Sequence, residues 1–169
     1  MPELPEVEFA RACLERWLGG EVVVEAEAGS ARVTRGPLRA AFARLGGRKV
    51  LAVERRGKQL IVRLDGDLGL LAHLGMTGKF ELTKPGEMPP RWSHARLRRA
   101  DGSVIHYRDP RQLGRLLVAP IADILEKGPL ARLGPDAWSE PIAERLAQRL
   151  ARSARTVKDV LMDQSVVAG

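Results

Sequence analysis

The chain has 169 residues, with 28 lysines and arginines against 21 aspartates and glutamates, and its formal net charge is +7. This length suits one domain, or one domain with a small appendage, and a hydrophobic fraction of 44% is enough for a buried core. The excess of positive charge favours an anionic partner, either nucleic acid or an acidic membrane surface. With Cys13 as its single cysteine, the chain excludes an internal disulfide and a cysteine-rich zinc site.

The sequence lacks the marks of a membrane or secreted protein. Its apolar runs are shorter than the roughly 20 residues that a membrane-spanning helix needs. The N-terminus also lacks a basic segment followed by an apolar stretch, as a signal peptide would have. We therefore expect a cytoplasmic protein that does not insert into a membrane.

The N-terminus carries the first chemical signal. Once Met1 is removed, Pro2 presents a secondary amine, and an α-amino group has a pKa of about 7.7 to 8.0, so part of it is nucleophilic at neutral pH. Glu3 and Glu6 follow closely and are suited to proton transfer. The same residues equally suit an ordinary helix start, with Pro5 in the first turn and carboxylates near the positive end of the helix dipole. If Met1 is retained, the Pro2 nitrogen is an amide and cannot attack.

Periodicity predicts the elements in chain order. Apolar residues at helical spacing over 5–18 predict one amphipathic helix that ends at two glycines, and a second short helix is predicted over 37–45. Eight short strands are predicted, several of them joined by Asp-Gly turns, over 21–27, 49–55, 59–64, 68–74, 79–83, 95–100, 104–107 and 116–119. Short strands at hairpin spacing favour an antiparallel sandwich over a parallel sheet.

Helical periodicity returns after Pro120. Helices are predicted over 141–152 and 156–164, and the stretch 126–140 contains enough glycine and proline to act as a boundary. We predict two domains, a β-sandwich over residues 1–125 and a helical part over 126–169.

Five motifs in this order resemble those of the bacterial formamidopyrimidine-DNA glycosylase family. They are MPELPEVE, RGKQL, HLGMTG, DPRQLG and VKDVLMDQSVVAG, at residues 1–8, 56–60, 73–78, 109–114 and 157–169. The resemblance implies a mainly β fold, with an N-terminal helix packed on a two-sheet antiparallel β-sandwich that forms the catalytic domain. An incomplete helix-two-turn-helix DNA-binding segment is expected to follow. Members of the family continue into a zinc finger, so we expect a truncated chain without a cofactor of its own, the structural zinc belonging to the missing part.

The resemblance also implies an activity in DNA base-excision repair. A monomer would bind double-stranded DNA, excise oxidised purines such as formamidopyrimidine and 8-oxoguanine, and then cleave the abasic site by β,δ-elimination. Pro2 would attack C1′ of the damaged nucleotide, Glu3 would donate a proton to the opening sugar, and Glu6 would support that site. Lys58 would lie near the phosphate of the lesion and assist elimination.

Further residues are implied to bind DNA. His73 would lie near a phosphate, Met76 would enter the gap that a flipped base leaves, and Arg111 would hydrogen-bond the orphaned opposite base. Leu113 replaces a phenylalanine that many members wedge into the base stack. Lys158 matches a phosphate contact of the helix-two-turn-helix.

Two positions depart from the family pattern. Gln112 stands where a phosphate-binding arginine is common, which puts the affinity for DNA and the opposite-base preference in doubt. His94 matches the second of two family histidines that contact DNA. Trp92 falls near the first histidine, and both a DNA contact, with Arg91 as its alternative donor, and ordinary surface packing stay open there.

Two other functions are compatible with the sequence. An endonuclease VIII-like enzyme for oxidised pyrimidines is one, although Leu4 and the motif at 73–78 favour the purine branch. A damaged-DNA-binding fragment without catalysis is the other, because half a helix-two-turn-helix without a zinc finger would hold phosphates weakly.

Overall fold

The structure is a computed structural model that describes residues 2–29, 32–34, 38–139 and 141–169. Helix α1 (Leu4–Leu18) begins after the N-cap residue Glu3, with Pro5 in its first turn. Val7, Leu14 and Leu18 recur at helical spacing and form its buried side. The helix over 5–18 that the sequence predicts is therefore present, one residue longer at its start.

Eight strands follow, and all of their pairings are antiparallel. They are β1 (Val22–Ala28), β2 (Arg48–Arg56), β3 (Gln59–Leu64), β4 (Leu68–His73), β5 (Lys79–Thr83), β6 (Ser93–Arg99), β7 (Val104–Arg108) and β8 (Arg115–Pro120). Their spatial order is β5-β7-β6-β1-β2-β3-β4-β8. Two four-stranded halves meet between β1 and β2, where only Val22 pairs with Lys49 and Val23 with Arg48.

The two halves share one core. Buried side chains of β1, β6 and β7 and buried side chains of β3, β4 and β8 belong to the same apolar cluster, which α1 and helix α2 (Leu38–Ala43) complete. Phe42 and Leu60 are among its largest fully buried members. The expectation of a mainly β, antiparallel fold with flanking helices is confirmed. The short ladder between β1 and β2 joins the expected two sheets into one continuous strand order. Pro37, the predicted start of α2, lies outside the described residues.

The C-terminal part lies against the outside of this unit. It contains helix α3 (Ile121–Glu126), a 3₁₀ turn (Pro129–Arg132), helix α4 (Ala143–Ala151) and helix α5 (Val157–Met162). Ile124 and Leu130 pack on Ile61 of β3 and Leu71 of β4 in a second, smaller cluster. The predicted domain boundary at 125/126 stays a prediction. Among the described helices, none has the length and apolar character needed to cross a bilayer.

Candidate active site

The N-terminus of α1 meets the turn between β2 and β3. Glu3 Oε2 lies 2.5 Å from Lys58 Nζ, although the two residues are far apart in the chain. The backbone N–H of Glu3 donates to Glu6 Oε2 at 3.0 Å, and the two glutamates occupy the ends of a capping box. Pro2, which is half-buried, directly precedes this pair. The structure therefore brings Pro2, Glu3, Glu6 and Lys58 into one cluster.

The backbone that carries Lys58 is held from both sides. The N–H of Gly57 donates to Asp136 Oδ2 at 2.6 Å, and its carbonyl accepts from Arg55 at 3.0 Å. Arg55 also makes a bidentate ion pair with Asp136, at 2.6 and 3.0 Å, and donates to Glu8 of α1 at 2.8 Å. The side chains of Arg55 and Asp136 are only 4% and 3% exposed. This buried network ties α1, the turn and the C-terminal part together, and so fixes the base of Lys58.

The charge state of Asp136 fits this role. Burial by itself would raise the pKa of its carboxyl, but hydrogen bonds from Arg55 and from the backbone of Gly57 and Trp138 outweigh burial and hold the pKa at about 2. Asp136 is therefore ionised at neutral pH and neutralises the buried guanidinium.

His73 extends the cluster across the sheet. It lies opposite Gln59 of β3 and Arg115 of β8, so these three residues form one row. The backbone N–H of Gly75 donates to His73 Nδ1 at 3.1 Å, which leaves the ring proton on Nε2. Burial, together with the charges of Arg115 and Lys58, lowers the pKa of His73. His73 is thus a neutral imidazole with one N–H available as a donor.

Two loops are joined beside this row by Asp109, which is fully buried. One of its carboxylate oxygens accepts from Thr77 Oγ1 at 2.5 Å and from the N–H of Arg111 at 3.3 Å, and the other accepts from the N–H of Gly114 at 2.8 Å. Gly75 sits at φ +64°, and a Cβ at that position would lie 2.6 Å from the backbone of Leu113. The loops 74–78 and 109–114 are therefore in direct backbone contact.

The tips of both loops project side chains into solvent. Met76 and Leu113 are 41% and 42% exposed, and Arg111 is exposed as well. An open cavity of about 700 Å³ lies next to them. Its lining includes the polar or basic side chains of Arg32, Gln59, His73, Gln112 and Arg115. Apolar tips beside a basic cavity form a surface that suits a polyanion with flat, apolar groups, which is the chemistry of nucleic acid.

The sequence model of the family described as "Formamidopyrimidine-DNA glycosylase N-terminal domain" matches residues 1–116. The chain belongs to this family. The matched range contains the cluster around Glu3 and Lys58 and four of the five motifs, and the motif at 157–169 lies beyond it.

Curated relatives and a solved structure agree with this assignment. The formamidopyrimidine-DNA glycosylases of Sodalis glossinidius and Thermus thermophilus are 35% and 39% identical to the whole of this chain. A crystal structure of Lactococcus lactis Fpg, in complex with DNA that contains N7-benzyl-Fapy-dG, superposes with a TM-score of 0.88 at 31% identity and covers 99% of the chain. The chain spans about three fifths of the length of these proteins, 60–62%.

Two further residues implied by the family pattern have different surroundings. His94 is half-buried, and its Nε2 donates to the carbonyl of Asp109 at 2.9 Å, because a carbonyl can only accept. Lys158 is exposed on α5, and no contact among the described residues joins it to the cluster around Lys58. The DNA contacts of both residues stay predictions.

Several residues of the site were not found by sequence reasoning. Asp109 was part of a motif but had no role, and Arg115, Arg55 and Asp136 were not singled out. An Asp-Pro pair after a strand gives a weak turn signal for Asp109. Arg55 and Asp136 are 81 residues apart, so no local pattern could pair them.

The described residues do not fit a metal site. No group of three or more His, Cys, Asp and Glu side chains able to hold an ion occurs in the described part of the chain.

Proposed function

We propose that the protein is a DNA base-excision repair enzyme, a glycosylase and abasic-site lyase that excises oxidised purines such as formamidopyrimidine and 8-oxoguanine. The observation that carries the proposal is the convergence at the N-terminus, where the Glu3–Lys58 ion pair of 2.5 Å lies directly beside Pro2. A secondary amine, a carboxyl group and an ammonium group in one place are the groups that Schiff-base chemistry on a sugar requires.

Pro2 acts as the nucleophile. With Met1 removed, its neutral nitrogen attacks C1′ of the damaged nucleotide, and the bond from C1′ to the base breaks. The base leaves with the electron pair of that bond and takes up a proton from water. The Pro2 nitrogen passes its proton to the Glu3 carboxylate, and Glu3 donates that proton to the ring oxygen O4′ as the C1′–O4′ bond opens. The product is an iminium between Pro2 and C1′.

The iminium then drives strand cleavage. Because its positive charge accepts electrons, the C2′ proton is removed and the 3′ phosphate departs, and a second elimination expels the 5′ phosphate. Lys58, which reaches the site from a backbone held by Asp136 and Arg55, stabilises the departing phosphate. Water finally hydrolyses the iminium and frees the Pro2 amine.

The exposed loops account for base flipping. Taking a nucleotide out of the duplex costs a few kcal/mol of stacking and pairing. Met76 and Leu113 are apolar and exposed, so they fill the gap, and Arg111 donates to the opposite base. His73 supplies its Nε2–H to a backbone phosphate. Because its pKa is lowered, it does so as a neutral donor at pH 7.

Reductive trapping tests the proposal. The Met1-processed chain is mixed with abasic-site duplex and borohydride, which reduces an iminium to a stable bond, and the crosslinked residue is identified by mass spectrometry. We expect the crosslink at Pro2. A form that retains Met1 should give none, because its Pro2 nitrogen is an amide.

The controls separate chemistry from binding. If only the full-length protein crosslinks, this chain is a DNA-binding fragment that needs further residues for activity. If neither form crosslinks although DNA binds, the lyase proposal is wrong. Release of damaged bases from duplexes with 8-oxoguanine or an oxidised pyrimidine decides between the purine and pyrimidine branches.

Other properties belong to the same proposal. We infer a cytoplasmic, nucleoid-associated monomer that binds damaged double-stranded DNA. A structural zinc, which the resemblance places beyond residue 169, stays a prediction.

A further inference from the structure

Trp92 adopts an unusual conformation. It directly precedes β6, its side chain is 45% exposed, and its φ is +60°. A bulky side chain rarely adopts a positive φ, because its Cβ approaches the backbone, and such residues persist only where their surroundings fix them. Here the carbonyl of Trp92 accepts from the N–H of Asp109 at 3.1 Å. The strained backbone therefore presents an indole ring to solvent.

Two guanidinium groups lie against this ring. The Cζ atom of Arg91 is 4.8 Å from the ring centroid, and that of Arg108 is 5.6 Å away. Arg108 is half-buried and forms an ion pair with Glu81 at 3.3 Å. Arg91 is exposed, and no carboxylate among the described residues pairs with it. The positive charge of Arg91 is thus held in place by the ring and left free for a ligand.

The group lies beside the loop tips that the proposed function places against DNA. Asp109, which binds the carbonyl of Trp92, is followed directly by the segment with Arg111 and Leu113. His94, at the start of β6, donates to the carbonyl of the same aspartate, so Trp92 and the start of β6 are attached to Asp109 at two points. A duplex that covers the tips therefore lies close to Arg91.

We propose that Arg91 is a phosphate anchor for the DNA duplex, with Trp92 as its platform and Arg108 as its brace. This inference rests on the proposed function and adds a contact to it. A planar guanidinium stacked on an aromatic face keeps its N–H fork available for a phosphate, and the stacking removes freedom that binding would otherwise have to remove. Phosphates carry no sequence information, so the anchor raises affinity for damaged and undamaged duplexes alike.

Salt-dependent binding of the full-length protein tests the charge. The probes are two short duplexes, one with a tetrahydrofuran abasic analogue and one undamaged, and affinity is measured by fluorescence anisotropy over a range of KCl concentrations. Arg91→Ala should lower the slope of log affinity against log salt by about 0.9, the value for one phosphate contact. Arg16→Ala is the matched control. It also removes one exposed positive charge, but from the last turn of α1, and should leave the slope unchanged.

Substitutions of the ring test the platform. Trp92→Ala should weaken binding of both duplexes by about two- to fivefold, the equivalent of one exposed cation–π contact. Trp92→Phe keeps a ring and should retain most of the affinity. Arg91→Lys keeps the charge without the planar fork and should bind more weakly than the unsubstituted protein. Borohydride crosslinking in the control variant Arg16→Ala should equal that of the unsubstituted protein.

Three outcomes would overturn the inference. The first is an equal change in slope for Arg91→Ala and Arg16→Ala, which would mean that only net charge matters. The second is full affinity in Trp92→Gly. Glycine adopts a positive φ without a ring, so this result would assign any loss of affinity in Trp92→Ala to the geometry of the loop. The third is weakening confined to the abasic duplex, which would indicate base stacking on Trp92. Failure of the proposed function is distinguishable, because the unsubstituted protein would then bind DNA without forming the crosslink.

Discussion

The carboxylate of Asp109 links the two exposed loops, 74–78 and 109–114. Its oxygens accept from a hydroxyl and two backbone N–H groups, and none of the carboxylate is exposed. In Asp109→Ala these donors lose the carboxylate as an acceptor. The buried N–H of Gly114 is then left without this hydrogen bond. Since an unsatisfied buried group costs about 1–3 kcal/mol, we expect the free energy of unfolding to fall by about 3 kcal/mol in urea denaturation.

Thr77→Val provides the control for this change. It removes the hydroxyl that donates to Asp109 and that accepts from the N–H of Arg111 at 3.3 Å, and it leaves the carboxylate with its hydrogen bonds from Arg111 and Gly114. A loss of about 1 kcal/mol is expected. Equal losses in the two variants would contradict the role of Asp109 as the common acceptor of both loops.

His73 is expected to titrate below its ordinary pKa of 6.5, because it is buried and lies near Arg115 and Lys58. The unfolded chain then binds a proton on His73 at a higher pH than the folded chain does. This contribution lowers stability as the pH falls below 6.5, and it ceases to change below the folded pKa. The titration can be followed in the NMR signal of the ring.

Arg115→Gln tests the cause of the shift. Removing this charge should raise the pKa of His73. The pKa of His106 is lowered by burial and by Arg96, not by Arg115, so its titration should stay where it is. A titration midpoint of His73 at or above pH 6.5 in the unsubstituted protein would contradict this explanation. So would a midpoint that is unchanged in Arg115→Gln.

At the scale of elements, the Arg55–Asp136 pair joins β2, the turn before β3 and the segment after the 3₁₀ turn. Asp136→Asn leaves the guanidinium of Arg55 buried with only Glu8 as its carboxylate partner. We expect the free energy of unfolding at pH 7 to fall by about 3 kcal/mol, because removing one partner of a buried pair leaves an uncompensated charge.

The pH dependence of this loss identifies its origin. The pKa of Asp136 is about 2 in the folded protein against 3.8 normally, so its ionised form stabilises the fold above pH 3.8. That stabilisation disappears as the pH falls from 3.8 towards 2. The stability difference between Asp136→Asn and the unsubstituted protein should therefore shrink over this window. Glu8→Gln, which keeps the bidentate pair, should cost less, and a constant difference across the window would exclude the ionic explanation.

The strands were predictable because turn signals such as Asp65-Gly66 and Asp101-Gly102 separate short strand-like runs. The runs 59–64 and 79–83 were predicted with the bounds that β3 and β5 have. The ladder between β1 and β2 was not, since only two residue pairs form it and they show no local pattern. Helix α1 could be placed by Pro5, by its apolar residues at helical spacing and by the two glycines after it.

The site was predictable only in part. The motifs carried Pro2, Glu3 and Lys58, but no spacing rule could bring Lys58 to within 2.5 Å of Glu3, because the approach depends on packing of α1 on β2 and β3. The left-handed backbone conformation of Trp92 could not be predicted from the sequence either. Its carbonyl accepts a hydrogen bond from Asp109, a residue 17 positions further along the chain, and no local sequence pattern predicts that contact.

The net charge of +7 is unevenly neutralised over the molecule. On β1 and β6, Arg96 and Arg98 pair across strands with Glu27 and Glu25. A groove of about 360 Å³ at α4 and α5 differs, because arginines at four positions line it: Arg145, Arg149, Arg152 and Arg155. Of these four arginines, only Arg155 has a carboxylate partner in the described part of the chain, Asp163 at 2.7 Å. Under the proposed function, this groove presents a row of guanidinium groups to which DNA phosphates can bind.

Replacing Arg145, Arg149 and Arg152 by glutamine tests whether position or total charge controls binding to DNA. Each arginine that contacts a phosphate should lower the salt slope by about 0.9, so affinity for undamaged duplex should fall most at low salt. The matched variant replaces the exposed arginines Arg16, Arg39 and Arg44, which lie on or beside α1 and α2. It removes the same charge. If both variants bind alike, the groove contributes only to the net field of the protein. A slope that changes in the first variant alone, with crosslinking at Pro2 intact at saturating DNA, would place phosphates in the groove, because screening of net charge acts equally on both.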